Sequence, residues 1–76
     1  MKAGKDVDAV LLFPDNSVVY WYGESNCQEG EFVNFIDKQN IEKSYRIVEI
    51  VHRLRQEGNT QLANHVETIL VLEEVK

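Results

Sequence analysis

Residues 7–22 read VDAVLLFPDNSVVYWY and carry the clearest local structural signal of the chain. Two runs of aliphatic, β-branched and aromatic residues flank the polar segment 14–17. Proline presets one backbone angle, and the Asp, Asn and Ser side chains bond to nearby backbone groups, which is the chemistry of a tight turn. Two strand-like runs joined by such a turn predict a β-hairpin over residues 7–22.

The predicted hairpin is apolar on both faces. Ala9 and Leu11 point to one side of the first strand, and Val10 and Leu12 point to the other. An antiparallel pair with one solvated face normally alternates apolar with polar residues. Both faces are therefore covered by other parts of the chain, or one of them is a contact surface.

The second strand of the hairpin carries a cluster of aromatic residues. Alternation places Trp21 on the face opposite Tyr20 and Tyr22. Trp and Tyr combine a large apolar area with a polar tip and dominate protein interfaces. We therefore predict a protein-binding or dimerisation face formed by Tyr20, Trp21, Tyr22 and Val19. The alternative is a core strand that the chain's own helices cover on both sides.

The remainder of the chain shows apolar residues at three- and four-residue spacing, which is typical of amphipathic helices. The spacing predicts an α+β fold in a single domain, 1–76, with two to three helices at about 31–39, 41–57 and 60–72.

Local signals support these helices. Asn40 is suited to cap the second helix, Gly58 to end it, and the pairs Glu42 with Arg46 and Glu49 with Arg53 have helical i,i+4 spacing. Residues 58–59 would then be the tip of a helical hairpin. The end of the chain has two interpretations. The favoured one continues the third helix, and the other makes residues 69–75 a third strand beside the hairpin, because a lone two-stranded ribbon is marginal.

Size and charge limit the class of protein. The chain has 76 residues, a net charge of −5 and a single cysteine, which forms no internal disulfide. An acidic chain is repelled by phosphate backbones and anionic lipid, so a membrane partner is not expected and a nucleic-acid partner is disfavoured. The N-terminus has no apolar signal-like segment, and no stretch approaches the ~18 apolar residues of a membrane span, so we expect a cytoplasmic protein.

No motif for catalysis, cofactor binding or metal binding is present in the sequence. His52 and His65 would face each other across the predicted helical hairpin, but their spacing matches no zinc motif. Cys27 has no cationic neighbour in sequence to activate it. We therefore expect no enzyme activity, no cofactor and no metal site, and the sequence assigns these three residues no role.

A weaker basic feature lies within residues 41–58. Arg46, Arg53 and Arg55 could contact phosphate, although glutamates accompany them in the sequence. A nucleic-acid-associated regulator is therefore the alternative function, together with an acidic decoy that mimics nucleic acid.

The sequence favours a small acidic, non-enzymatic regulator that binds and modulates a protein partner, with a homodimer as one form. In size and charge alone it is similar to inhibitors, antitoxins, immunity proteins and phage-encoded regulators. Folding would bury about 8,000 Å², of which about 60% is apolar, and this burial would contribute roughly 120 kcal/mol at ~25 cal/mol/Å². The lost conformational entropy costs about 115 kcal/mol. A second copy or a partner would therefore help this chain to fold.

Overall fold

The computed structural model describes residues 7–22 and 26–76, and residues 1–6 and 23–25 lie outside this part. The described residues form no helix. They form five strands: β1 (Val7–Leu12), β2 (Val18–Tyr22), β3 (Phe32–Ile36), β4 (Glu42–Gln56) and β5 (Ala63–Glu74). The strands make one curled mixed sheet in the order β2-β1-β5-β4-β3, in which β1 and β5 are parallel and the other pairs antiparallel. The α+β prediction is therefore wrong, because the described chain is all-β.

The N-terminal hairpin is confirmed. Strands β1 and β2 pair up to Leu12 and Val18, and the turn between them follows the predicted chemistry. Ser17 donates to the Asp15 carboxylate from its backbone nitrogen at 3.0 Å and from its hydroxyl at 2.6 Å. These two hydrogen bonds hold the pKa of Asp15 below its ordinary value. Asn16 takes the left-handed conformation, with φ of 72°, that closes this type of turn.

The predicted helices at 31–39 and 41–57 are instead β3 and β4, joined in a second antiparallel hairpin. Asn40 is not a helix cap. It is the left-handed residue of the β3–β4 turn, with φ of 68°. The Asp37 carboxylate accepts hydrogen bonds from the backbone nitrogens of Gln39 at 2.9 Å and Ile41 at 3.0 Å. The carboxylate thus satisfies the turn's own backbone donors.

Replacing Asn40 with alanine should lower the free energy of unfolding by about 1 kcal/mol, because a Cβ without a polar group is disfavoured in the left-handed region. Asn40→Gly is the matched control, since glycine adopts this conformation without strain. It should be at least as stable as the parent in urea titrations. Equal loss in both variants would mean that the Asn40 side chain, and not its backbone angle, stabilises the turn.

The predicted third helix, 60–72, is also wrong, because these residues contribute to β5 and the turn before it. Gly58 is left-handed as predicted, with φ of 56°, but it lies at the tip of a β-hairpin between β4 and β5. For the segment 69–75 the strand alternative is the correct one through Glu74. This strand lies beside the N-terminal hairpin, with Leu11 of β1 opposite Leu70 of β5.

Two β-bulges account for the helix-like spacing of these strands. In β4 the register shifts between Ile47 and Glu49, and a second shift leaves Val66 of β5 without a partner. A bulge inserts one residue and so changes which positions face one side of the sheet. The residues of β4 that pack in the core are Tyr45, Ile47 and Ile50. They are two and three residues apart in the sequence, whereas a regular strand would keep a constant spacing of two.

The core lies on one face of the sheet, which we call the inner face. Its buried residues come from β1, from Phe13 directly after β1, and from β4 and β5. They are Ala9, Leu11, Phe13, Tyr45, Ile47, Leu70 and Leu72. Phe13 contacts Phe35 of β3 with ring centroids 5.0 Å apart, and also Tyr45 at 5.0 Å. In a flat sheet β1 and β3 would be separated by roughly 14 Å. Curling of the sheet therefore brings its two halves together over the inner face.

Strands β4 and β5 extend beyond the rest of the sheet. Their ladder continues to Gln56 and Ala63, whereas β1 pairs with β5 only at Ile69, Leu70 and Val71. Residues 52–67, which comprise the ends of β4 and β5 beyond this pairing and the turn that joins them, form a two-stranded ribbon that we call the arm. Nearly all of its side chains are exposed. The arm thus projects from the packed part of the sheet.

Candidate interaction surface

The aromatic strand β2 divides its side chains between the two faces. Val19 and Trp21 are half-buried and pack against the core on the inner face. Tyr20 and Tyr22 lie on the opposite, outer face and are 58% and 53% exposed. The four residues predicted as one binding set therefore do not share a surface, and the two tyrosines are the pair that a partner could contact.

The outer face carries two apolar rows that cross β2, β1 and β5. Register places Tyr20 beside Val10 and Val10 beside Ile69 in one row. The second row contains Val18, Leu12 and Val71. We call these rows, together with the flanking residues of β2 and β4, the outer apolar patch: Val10, Leu12, Val18, Tyr20, Tyr22, Val51, Ile69 and Val71.

The outer apolar patch is separate from the core. Val10 is only 7% exposed, yet it does not belong to the inner cluster of buried residues. Its neighbours on both sides, Tyr20 and Ile69, shield it within the sheet. Domains normally consist of two packed layers, so that each apolar face of a sheet is covered. Among the described residues no second layer covers this patch.

The patch reaches an open edge of the sheet. Strand β2 pairs only with β1, so its second edge has no partner strand within the described residues. Exposed apolar edge strands are sites of intermolecular association. The edge and the apolar face thus meet at Tyr20 and Tyr22, the most exposed large side chains of the patch.

The predicted phosphate-binding arginines lie on β4. Arg46 pairs with Glu73 at 3.4 Å, and Arg53 pairs with Glu67. Arg55 is opposite Asn64 in the ladder. Two of the three guanidinium groups are therefore neutralised by carboxylates across the strand pair, and the arrangement offers no broad positive surface to a phosphate backbone.

An open cleft of about 310 Å³ lies at the end of the inner face, between the β1–β2 and β3–β4 turns. Its aromatic residues pack against one another, and the carboxylates of Asp15 and Asp37 accept hydrogen bonds from their own turns. These groups stabilise the structure of the cleft. The Ser17 hydroxyl and the Asp15 carboxylate both line the cleft, and the hydrogen bond between them belongs to the β1–β2 turn.

His52 and His65 do face each other, across the β4–β5 hairpin instead of a helical one. His52 Nδ1 lies 3.5 Å from His65 Nε2. Cys27 is half-buried against the core. In residues 7–22 and 26–76 no group of three or more His, Cys, Asp or Glu side chains is arranged to hold a metal ion.

The contribution of β5 to the outer apolar patch does not follow from the sequence prediction. The available signal is the continuous apolar run 69–72, which is typical of a strand with both faces apolar. Helical spacing upstream of this run hides the signal. Alternation within residues 7–22, in contrast, does separate Tyr20 and Tyr22 from Trp21.

No family model, curated protein or solved structure matches this chain. The described part of the chain contains no helix with the length and apolar character that crossing a membrane requires.

Proposed function

We propose that this protein is a non-enzymatic interaction protein that acts as a symmetric dimer, with two copies packed outer face to outer face. The observation that supports this proposal is the outer apolar patch, an apolar sheet face without a covering layer in the described chain. Pairing two such sheets would give a β-sandwich, in which each copy supplies the missing second layer of the other.

The charge of the patch favours a second copy over a different partner. A two-fold interface brings the same residues together from both sides, so a charged side chain near the axis would meet its own copy. The two rows across β2, β1 and β5 contain only aliphatic and tyrosine side chains. Ionised groups border these rows: Glu49 of β4 is opposite Val71, and the pairs Arg46–Glu73 and Arg53–Glu67 join β4 to β5 on either side of them.

The dimer would act as a regulator in the cytoplasm, the role for which its size and acidic charge are suited. Pairing through the outer face leaves the arm and the inner cleft accessible to a further protein partner. Nucleic-acid binding draws no support from the paired arginines, and we do not propose it.

Sedimentation equilibrium of the full chain between about 1 and 300 µM tests the proposal. We expect a monomer–dimer equilibrium with a limiting mass twice 8.8 kDa. Two copies of charge −5 repel each other, and salt screens this repulsion. The dimer should therefore tighten as sodium chloride rises from about 20 to 300 mM, which is opposite to the behaviour of a phosphate-binding protein.

Hydrogen exchange at two protein concentrations locates the interface. Amides of β2 should exchange more slowly in the dimer, since the outer face of this strand becomes covered. A single 8.8 kDa species at every concentration would contradict the proposal. A dimer in which amide exchange slows in the arm or along β3, and not in β2, would also contradict it.

A further inference from the structure

A cluster of three heteroatoms lies where the arm joins the rest of the sheet, on the face opposite the outer apolar patch. His52 Nδ1 and His65 Nε2 are 3.5 Å apart. The Thr68 hydroxyl lies 3.2 Å from His52 Nδ1 and 2.9 Å from His65 Nε2. The two rings are tilted by 58° with centroids 5.5 Å apart, so they converge through one nitrogen each and do not stack.

A bulge in the arm brings these side chains to one face. Thr68 is directly opposite His52 in the ladder, whereas His65 is three residues away from Thr68. In a regular strand residues three apart point to opposite faces. The unpaired Val66 between them reverses the alternation, so that His65 returns to the face of Thr68. Bulges that redirect a side chain in this way are common beside functional sites.

The separation of the two nitrogens matches that of two ligands on one metal ion. Zinc–imidazole bonds of about 2.0–2.1 Å in tetrahedral geometry require two ligand nitrogens to lie roughly 3.3–3.4 Å apart. The observed separation is 3.5 Å. A point about 0.85 Å above the plane of the three heteroatoms is roughly 2.05 Å from each of them, which is the bond length that zinc prefers.

We propose that His52 and His65 form a binding site for a divalent late transition metal ion, of the class of Zn²⁺, Ni²⁺ and Cu²⁺. Imidazole nitrogen is a favoured ligand for these ions. Each ring binds through its neutral form, with the proton on His52 Nε2 and on His65 Nδ1. The Thr68 hydroxyl completes a third position or holds a metal-bound water, and solvent fills the rest of the coordination sphere.

The backbone fixes the site before metal arrives. His52 belongs to β4 and His65 to β5, and the ladder between these strands continues past both residues to Gln56 and Ala63. Both imidazoles are exposed, so a hydrated ion reaches them without opening the core. The site requires no contribution from a second copy and does not depend on the proposed dimer.

Calorimetric titration of the full chain with zinc chloride in a non-chelating buffer near pH 7.5 tests the site. We expect saturable binding that His52→Ala and His65→Ala each weaken by about tenfold or more, because either change removes one of two protein ligands. Thr68→Val should have a smaller effect, since both nitrogens remain.

Two matched variants serve as controls for the zinc titration. Asn64→Ala alters an exposed neighbour on the arm, and Cys27→Ser removes the only thiol of the chain; both should bind zinc as the parent does. Circular dichroism of the histidine variants checks that the sheet is intact. The absence of saturation at about 1 mM zinc, or equal binding by the parent and both histidine variants, would overturn the proposal.

Discussion

Ile47→Ala is expected to lower the free energy of unfolding by about 3–4 kcal/mol, the cost of a large apolar side chain removed from a site that cannot collapse. Ile47 has no exposed surface and lies on β4 opposite Leu72, which is itself 4% exposed. Proteins of this size have a total stability of only roughly 4–11 kcal/mol. The variant should therefore be partly unfolded at temperatures that the parent tolerates.

Urea titration followed by the fluorescence of Trp21 measures this loss, at one fixed protein concentration because association adds to stability. Val48→Ala is the matched control. Val48 is the next residue, it sits in the bulge and it is 37% exposed, so its truncation should cost less than about 1 kcal/mol. Similar losses in the two variants would show that the inner face is assigned incorrectly.

The part of the fold that can be predicted from the sequence is local. The β1–β2 turn is specified by Pro14, Asp15 and Asn16, whose effects on the backbone act within four residues. The left-handed conformation of Gly58 is likewise predicted correctly. Such signals identify where the chain turns, but a tight turn joins two helices as readily as two strands.

Two of the predicted helices, 41–57 and 60–72, are wrong because bulges in β4 and β5 imitate helical spacing. Inner positions of β4 at 45, 47 and 50 contain one step of three, and positions 65, 68 and 70 of β5 contain another. The composition carries the opposite signal, since β-branched residues are frequent in both segments and prefer strands. Residue preference is the better guide in these segments, because a bulge changes the periodicity of a strand and leaves its composition unchanged.

The predicted charge pairs are wrong for the same reason. Glu42 and Arg46 are neighbours on a helix, but on a strand residues four apart are separated by about 13 Å. The actual partner of Arg46 is Glu73, and that of Arg53 is Glu67. These pairs depend on the register between distant strands, which local spacing does not reveal.

The contact between the two histidines depends on a bulge as well as on the turn. The ladder places Thr68 opposite His52 and Leu54 opposite His65, and the unpaired Val66 returns His65 to the face of His52. The sequence predicts that the chain reverses near residues 58–59, but it does not predict this register. The outer apolar patch is predictable only in its β1 and β2 half. Its β5 half depends on the parallel pairing of Val10 with Ile69, which no turn in the sequence specifies.

Tyr20→Glu should raise the dissociation constant of the proposed dimer by about 100-fold or more. At a two-fold interface one substitution places two carboxylates in an apolar contact, where unpaired charge is strongly disfavoured. Aromatic residues at interface centres commonly contribute about 2 kcal/mol or more, and this contribution is lost as well. Tyr20 is 58% exposed, so the folded monomer should be little affected.

Leu54→Glu is the matched control, because it also replaces an exposed apolar side chain of a strand with a carboxylate, but outside the outer apolar patch. Leu54 also lies on a strand and is 63% exposed, but it belongs to the arm, outside the outer apolar patch. Sedimentation equilibrium should show Tyr20→Glu as a monomer at concentrations where the parent and Leu54→Glu are dimers. If Leu54→Glu dissociates the dimer and Tyr20→Glu does not, the arm forms the interface. In that case the outer apolar patch must be covered in another way.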